Sequence, residues 1–219
     1  MQFASYIAIE GPIGVGKTTL ARLLAENLGA ELLLEVFEEN PFLRAFYADR
    51  ARYAFQTQIF FLLSRYRQQQ HAVAEALARG PLVSDYLFAK DRLFARLNLS
   101  GDELAVYEQL YAALSERVHT PDLVVYLRAR ADVLLQRIAH RDRSYERAIS
   151  RDYIEDLRRA YDDFFASYTD ASLLVIDADS IDVVASAADR AEVIGRVRAA
   201  LERGAIQPLL PVVGETSTL

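Results

Sequence analysis

Eight consecutive residues, Gly11-Pro12-Ile13-Gly14-Val15-Gly16-Lys17-Thr18, carry the spacing G-x-x-x-x-G-K-[ST] in full. Glycines so placed let successive backbone N–H groups turn inward around an anion, and a helix starting near Lys17 aims the positive end of its dipole at the same point. Lys17 then reaches β- and γ-phosphates, and Thr18 offers a hydroxyl to Mg²⁺. Val15 and Thr19 complete the cradle and the first helical turn. The chemistry implied is binding of ATP and transfer of its terminal phosphoryl group. A chain of this length meets the pattern by chance about 1% of the time at average glycine usage. Lysine is rare here, with Lys17 and Lys90 standing against 23 arginines, so its presence in the loop carries extra weight.

Phosphoryl transfer also needs a carboxylate on the metal side and a group on the nucleophile side, and in an open parallel sheet both belong where strands end. Glu35, Asp85 and Asp177 each follow a short apolar run. Asp85, directly after Leu82-Val83-Ser84, fits the strand-then-aspartate pattern of a Mg²⁺ site. Glu35 is placed to accept the proton of an attacking hydroxyl. Arg137, Arg141 and Arg143 fall within seven residues, with Arg137 and Arg141 one helical turn apart. On a segment over the nucleotide they would neutralise the charge that develops during transfer, as an arginine-rich lid.

These residues need a frame, and the hydropathy pattern supplies one. Short apolar runs at Phe3 to Glu10, Glu31 to Phe37, Pro81 to Ser84, Asp122 to Leu127 and Ser172 to Asp177 read as five strands. Helical periodicity covers Thr18 to Leu28, Tyr53 to Ala78, Leu104 to Val118, Ala131 to about Arg141, Ile154 to Tyr168 and Asp182 to Arg203. The alternation predicts an α/β fold: a five-stranded parallel sheet covered by helices on both faces, joined by right-handed crossovers. Residues 1–205 are expected to form one P-loop kinase domain, with 206–219 an irregular tail containing Pro208, Pro211 and Gly214.

Composition narrows the function. The 219 residues hold 52% hydrophobic and 26% charged side chains and a formal charge of −6, which argues against duplex DNA or an anionic membrane as partner. Cysteine is absent, so thiolate metal sites and disulfides are excluded and a reducing cytoplasmic setting is expected. No apolar run approaches the roughly 18 residues of a membrane span. Neither lysine sits in the N-K-x-D motif that a GTPase requires, and a small-molecule kinase is the class that is left.

Five segments, in their order and spacing from Gly11 to about Asp179, resemble the deoxynucleoside kinases, above all the bacterial purine deoxynucleoside kinases. The resemblance implies ATP-dependent phosphorylation of the 5′-hydroxyl of a deoxynucleoside in nucleotide salvage, with Mg²⁺, by a homodimer. Leu33-Leu34-Glu35-Val36 resembles the segment whose glutamate acts as general base, with Glu38 and Glu39 as alternatives. Tyr47 and Glu146 resemble the pair that holds the sugar 3′-hydroxyl. The segment from Phe55 through Arg65 resembles the base-reading helix, where Gln58 with Arg65 fits the family spacing better than Gln56. Asp91 resembles the partner of that arginine, which points away from thymidine, and Glu38-Glu39-Asn40-Pro41-Phe42-Leu43 points to a purine. Asp177 to Asp179 resembles the loop that contacts the donor's adenine. One departure stands out: the family carries Glu-Arg-Ser or Asp-Arg-Ser where this chain has Asp85-Tyr86-Leu87, so an arginine is missing and a lid arginine is the candidate to replace it. A nucleoside monophosphate kinase and a nucleotide-binding regulatory subunit are the alternatives that share the phosphate loop.

Overall fold

The computed structural model describes residues 6–203. The start of the predicted first strand and the predicted tail lie outside those residues. A sheet of five parallel strands, β1 (Tyr6–Glu10), β2 (Glu31–Leu33), β3 (Leu82–Ser84), β4 (Leu123–Arg128) and β5 (Ser172–Asp177), runs in the order β2-β3-β1-β4-β5. The pleat sorts each central strand between two cores. From β1, Ile7 and Ile9 enter one, and Tyr6 and Ala8 the other; β4 divides Leu123, Val125 and Leu127 from Val124 and Tyr126 in the same way. All five residues of β1 are buried, as expected of a strand covered on both faces.

The first core is closed by α1 (Lys17–Leu28), α7 (Ala131–Arg141) and α9 (Ala187–Arg203), and the second by α8 (Arg151–Ala166) with α4 (Ala74–Arg79). A third cluster, with Phe46, Leu62, Phe88 and Tyr107 among its members, joins α2 (Leu43–Ala48), α3 (Arg50–Gln68), α5 (Lys90–Asn98) and α6 (Gly101–Ser115). The order reverses around β1, so its carboxyl end opens a crevice of the kind where such sheets bind ligands.

The fold class agrees with the sequence expectation, and the differences have local causes. The predicted strand 31–37 ends at Leu33, because the Asp85 carboxylate takes the Glu35 N–H at 2.7 Å and Gln68 donates to the Leu34 carbonyl at 3.1 Å, drawing the chain off the ladder. The single predicted helix at 53–78 begins at Arg50, where Asp49 caps it, and passes through a π-turn at Gln69–Val73 into α4. The last helix starts at Ala187 and not at Asp182, because the Asp182 carboxylate binds the N–H groups of Val184 and Ala185, both at 2.9 Å, in a local turn. Two helices, α2 and α5, were not expected at all.

Candidate active site

The phosphate loop follows β1 directly, and its backbone demands glycine at two places. Gly11, at φ +149°, has the Leu127 carbonyl where a Cβ would stand, 2.2 Å away. Gly14, at φ +86°, would place a Cβ 2.8 Å from the Ile138 side chain and 2.9 Å from the Leu134 carbonyl. The loop is therefore pressed against both β4 and α7. Lys17 opens α1 and donates to the carbonyls of Gly11 (2.7 Å) and Pro12 (3.2 Å). Burial, reinforced by the nearby ammonium of Lys90, lowers its pKa to about 8.

Beyond the loop lies one cavity. Gly14, Gly16, Lys17, Thr18 and Thr19 line one part of it, and Glu35, Tyr47, Gln58, Arg65, Asp85, Arg141, Arg143 and Glu146 line the rest, together with Lys90. Its walls carry five cationic side chains against three acidic ones, in a chain with a net charge of −6, so the local balance suits an anionic ligand. A continuous set of hydrogen bonds crosses it. The Thr18 hydroxyl donates to Asp85 Oδ2 at 2.5 Å, and Asp85 Oδ1 accepts from the Glu35 N–H. Arg65 donates from Nε to Glu35 Oε1 at 2.9 Å and also from Nη2 to the same oxygen, while its Nη1 binds Asp91 Oδ1. Lys90 Nζ donates to Glu35 Oε2 at 2.6 Å.

The two carboxylates on Arg65 differ in their electrostatics. Burial raises Glu35, but Arg65 and Lys90 together outweigh it and hold its carboxyl well below the usual carboxylate range. For Asp91, fully buried, desolvation prevails over Arg65 and Lys90 and lifts the pKa to about 6. Its Oδ2 finds no hydrogen-bond partner among the described residues. Neither does Oε1 of Gln58, a 2% exposed amide in the cavity wall. An orphaned buried acceptor costs about 1–3 kcal/mol; of the two, Gln58 lines the cavity, while Asp91 lies behind Arg65 and outside the lining.

On the opposite side, the segment between α7 and α8 folds over α2. Arg141 binds both oxygens of Glu146, at 2.7 Å from Nη2 and 3.2 Å from Nε, and Arg143 lies 3.6 Å from the same carboxylate. The Arg143 guanidinium stacks on Phe37 at 4.3 Å, and the rings of Tyr145 and Tyr47 stack at 6.1 Å. Burial raises the Tyr47 phenol above its ordinary pKa.

Some predicted site residues stand apart from this cavity. Arg137 was expected over the nucleotide with Arg141 and Arg143. The structure instead turns its guanidinium to the back of the phosphate loop, onto the carbonyls of Val15 (3.1 Å), Ala178 (2.8 Å) and Ile181 (3.4 Å). Asp177 and Asp179 lie at the end of β5 beside Arg128 and Arg130, with Asp179 Oδ1 accepting the Arg130 N–H at 2.8 Å. Among the described residues, the bonds that hold the Glu35 carboxylate come from Arg65 and Lys90, and not from a lid arginine.

Sequence reasoning missed Lys90 as a site residue, although its rarity was a signal. It also passed over Glu10, a fully buried carboxylate that accepts from the N–H groups of Gly11 (2.9 Å) and Leu87 (2.7 Å) and from the Tyr161 hydroxyl (2.8 Å). Glu10 thereby ties the end of β1 to the turn that carries Asp85 and Lys90. An acidic residue closing an apolar strand directly before Gly11 was the available hint.

Known proteins resemble this chain in sequence and in fold. The family model described as deoxynucleoside kinase matches residues 7–202. The deoxyguanosine kinase of Bacillus subtilis is 35% identical over 203 residues, covering 90% of this chain and 98% of that protein. The deoxyadenosine kinase of Dictyostelium discoideum is 38% identical over 165 residues, covering 73% of this chain and 66% of that one. Among solved structures, deoxyadenosine kinase from M. mycoides with bound dATP superposes with a TM-score of 0.78 at 27% identity, covering 89% of this chain and 99% of that one. Fold, phosphate loop and kinship lead to one conclusion: the chain belongs to the deoxynucleoside kinase family.

Proposed function

We propose that this protein transfers the γ-phosphoryl group of ATP to the 5′-hydroxyl of a purine deoxynucleoside, giving the 5′-monophosphate and ADP. One observation carries the reading. A single hydrogen-bonded chain, Thr18–Asp85–Glu35–Arg65–Asp91, runs from the phosphate loop past Glu35 to the side of the cavity where Gln58 Oε1 has no partner among the described residues.

In this scheme Glu35 accepts the 5′-hydroxyl proton as that oxygen bonds to the γ-phosphorus, and the bond to the β,γ-bridging oxygen breaks as ADP leaves. Lys17, Arg141 and Arg143 balance the charge on the transferring group, and residues 142–150 serve as the lid. Arg137 supports catalysis through the loop that it braces. Gln58, Arg65 and Asp91 read the base, while Tyr47 and Glu146 hold the sugar. Gly11, Gly14, Val15, Gly16 and Thr19 shape the phosphate site, and the Asp177 to Asp179 loop borders the donor's base. Thr18 and Asp85, a hydroxyl and a carboxylate 2.5 Å apart, form a fitting oxygen pair for Mg²⁺. A Mg²⁺ ion held there would supply neutralising charge to the transferring phosphoryl group.

The purine assignment is supported by relatives named deoxyguanosine and deoxyadenosine kinases. Leu63, Val106 and Leu110, each 41–46% exposed on α3 and α6, give a face for a homodimer, and the setting is cytoplasmic. Among the described residues no helix is long and apolar enough to cross a membrane.

The test is a transfer assay with ATP and Mg²⁺ against the four deoxynucleosides, with the matching monophosphates alongside. The expected result is turnover of deoxyguanosine or deoxyadenosine, with a loss of about 10²- to 10⁴-fold in kcat for Glu35→Gln at nearly unchanged ATP affinity. Turnover of monophosphates alone would replace the reading with a monophosphate kinase. Binding without turnover of any acceptor would replace it with a regulatory subunit.

A further inference from the structure

Glu35 is expected to accept a proton, and a carboxylate does so through a lone pair that points at the donor. It has about four lone-pair sites. Two, on Oε1, are taken by Arg65 Nε and Nη2, and one on Oε2 is taken by Lys90 Nζ at 2.6 Å. A single site remains, on Oε2, and the direction in which it points is fixed by where Lys90 stands. Arg65, which binds only Oε1, would by itself leave the carboxylate plane free to turn and carry the open sites of Oε2 away from an incoming hydroxyl.

Lys90 is itself unusually constrained. It is 4% exposed, yet it lines the cavity. It opens α5, with its backbone N–H bonded to the Leu87 carbonyl at 3.1 Å, and Leu87 is in turn anchored by Glu10. An ammonium buried so deeply requires a paired anion, and Glu35 is the only carboxylate bonded to it among the described residues.

We propose that Lys90 is the positioning residue of Glu35: from the first turn of α5 it fixes the one free lone pair of Oε2 on the acceptor hydroxyl. It thereby fills the role left open by the tyrosine at position 86. The inference rests on Glu35 as proton acceptor, so its test includes an arm that does not depend on turnover.

Lys90→Met and Lys90→Gln would be compared with the parent protein in two measurements. The first is the crystal structure of each nucleotide-free protein, read at the Glu35 side chain. With Oε1 kept on Arg65 and the Lys90 bond gone, Oε2 should leave its parental position. The second is the kinetics of transfer to the preferred deoxynucleoside. The expected result is a loss of about 30-fold or more in kcat with nucleoside KM within about threefold. A Glu35 carboxylate that stays in its parental position in both variants overturns the proposal, whatever the parent's activity. So does near-parental kcat, or a loss carried by KM. If the parent phosphorylates no nucleoside, the proposed function falls while the variant structures still decide whether Lys90 positions Glu35.

Discussion

Lys17 is held by the loop that it closes, its ammonium resting on the Gly11 and Pro12 carbonyls. Burial and Lys90 lower its pKa to about 8, so in the free protein it loses its charge as pH rises through that value. In the proposed role, only the protonated form attracts a triphosphate. ATP affinity measured by calorimetry should therefore fall about tenfold between pH 7 and pH 9, a steeper loss than an ordinary lysine with a pKa near 10.4 would show. A flat affinity over that interval would exclude Lys17 as the titrating group. The individual site residues were legible in uneven measure. The phosphate loop declares itself because its spacing is rigid and its residue types are few. Lys90 and Glu10 do not, because their importance comes from what packs against them, and no local pattern records that Glu35 is one ion pair away from Lys90.

At the level of elements, the strands were readable because a sheet covered on both faces demands unbroken apolar runs such as Leu123 to Leu127. The misread boundaries share one cause: a side chain bonds the backbone where a ladder or a helix would otherwise have done so. Asp85 ends β2 in this way, and Asp182 delays α9. The short helices α2 and α5 escaped notice because six to nine residues hold too few turns for a period to emerge. Both carry site residues, Tyr47 and Lys90. Arg137 shows the limit of spacing as a guide. It does share a face with Arg141, but that face runs from the back of the phosphate loop to the cavity rim. Arg137→Met should remove three carbonyl contacts and lower stability by about 1–3 kcal/mol in denaturant unfolding. ATP affinity should fall with it while the KM for nucleoside stays close to the parent value. A variant with parental unfolding and parental ATP affinity would show that the brace is dispensable.

For the molecule as a whole, three of the five exposed large apolar side chains among the described residues, Leu63, Val106 and Leu110, sit on the neighbouring helices α3 and α6. Leu63→Arg combined with Leu110→Glu should convert a species of twice the chain mass into one of single mass in light scattering. A parent that already runs at single mass would remove the homodimer. Because α3 also supplies Gln58 and Arg65, the separated chains should bind nucleoside more weakly than they bind ATP.

The close approach of Gly14 to Leu134 and Ile138 has a mechanical consequence. Helix α7 meets the phosphate loop at Leu134 and Ile138, and it ends at Arg141, whose guanidinium is bonded to Glu146 of the following turn. A ligand in the loop therefore bears on a helix whose far end is tied to residues 142–150. Amide hydrogen exchange across residues 142–150 should therefore slow on addition of ATP alone, before any nucleoside arrives, and Arg137→Met should uncouple the two ends.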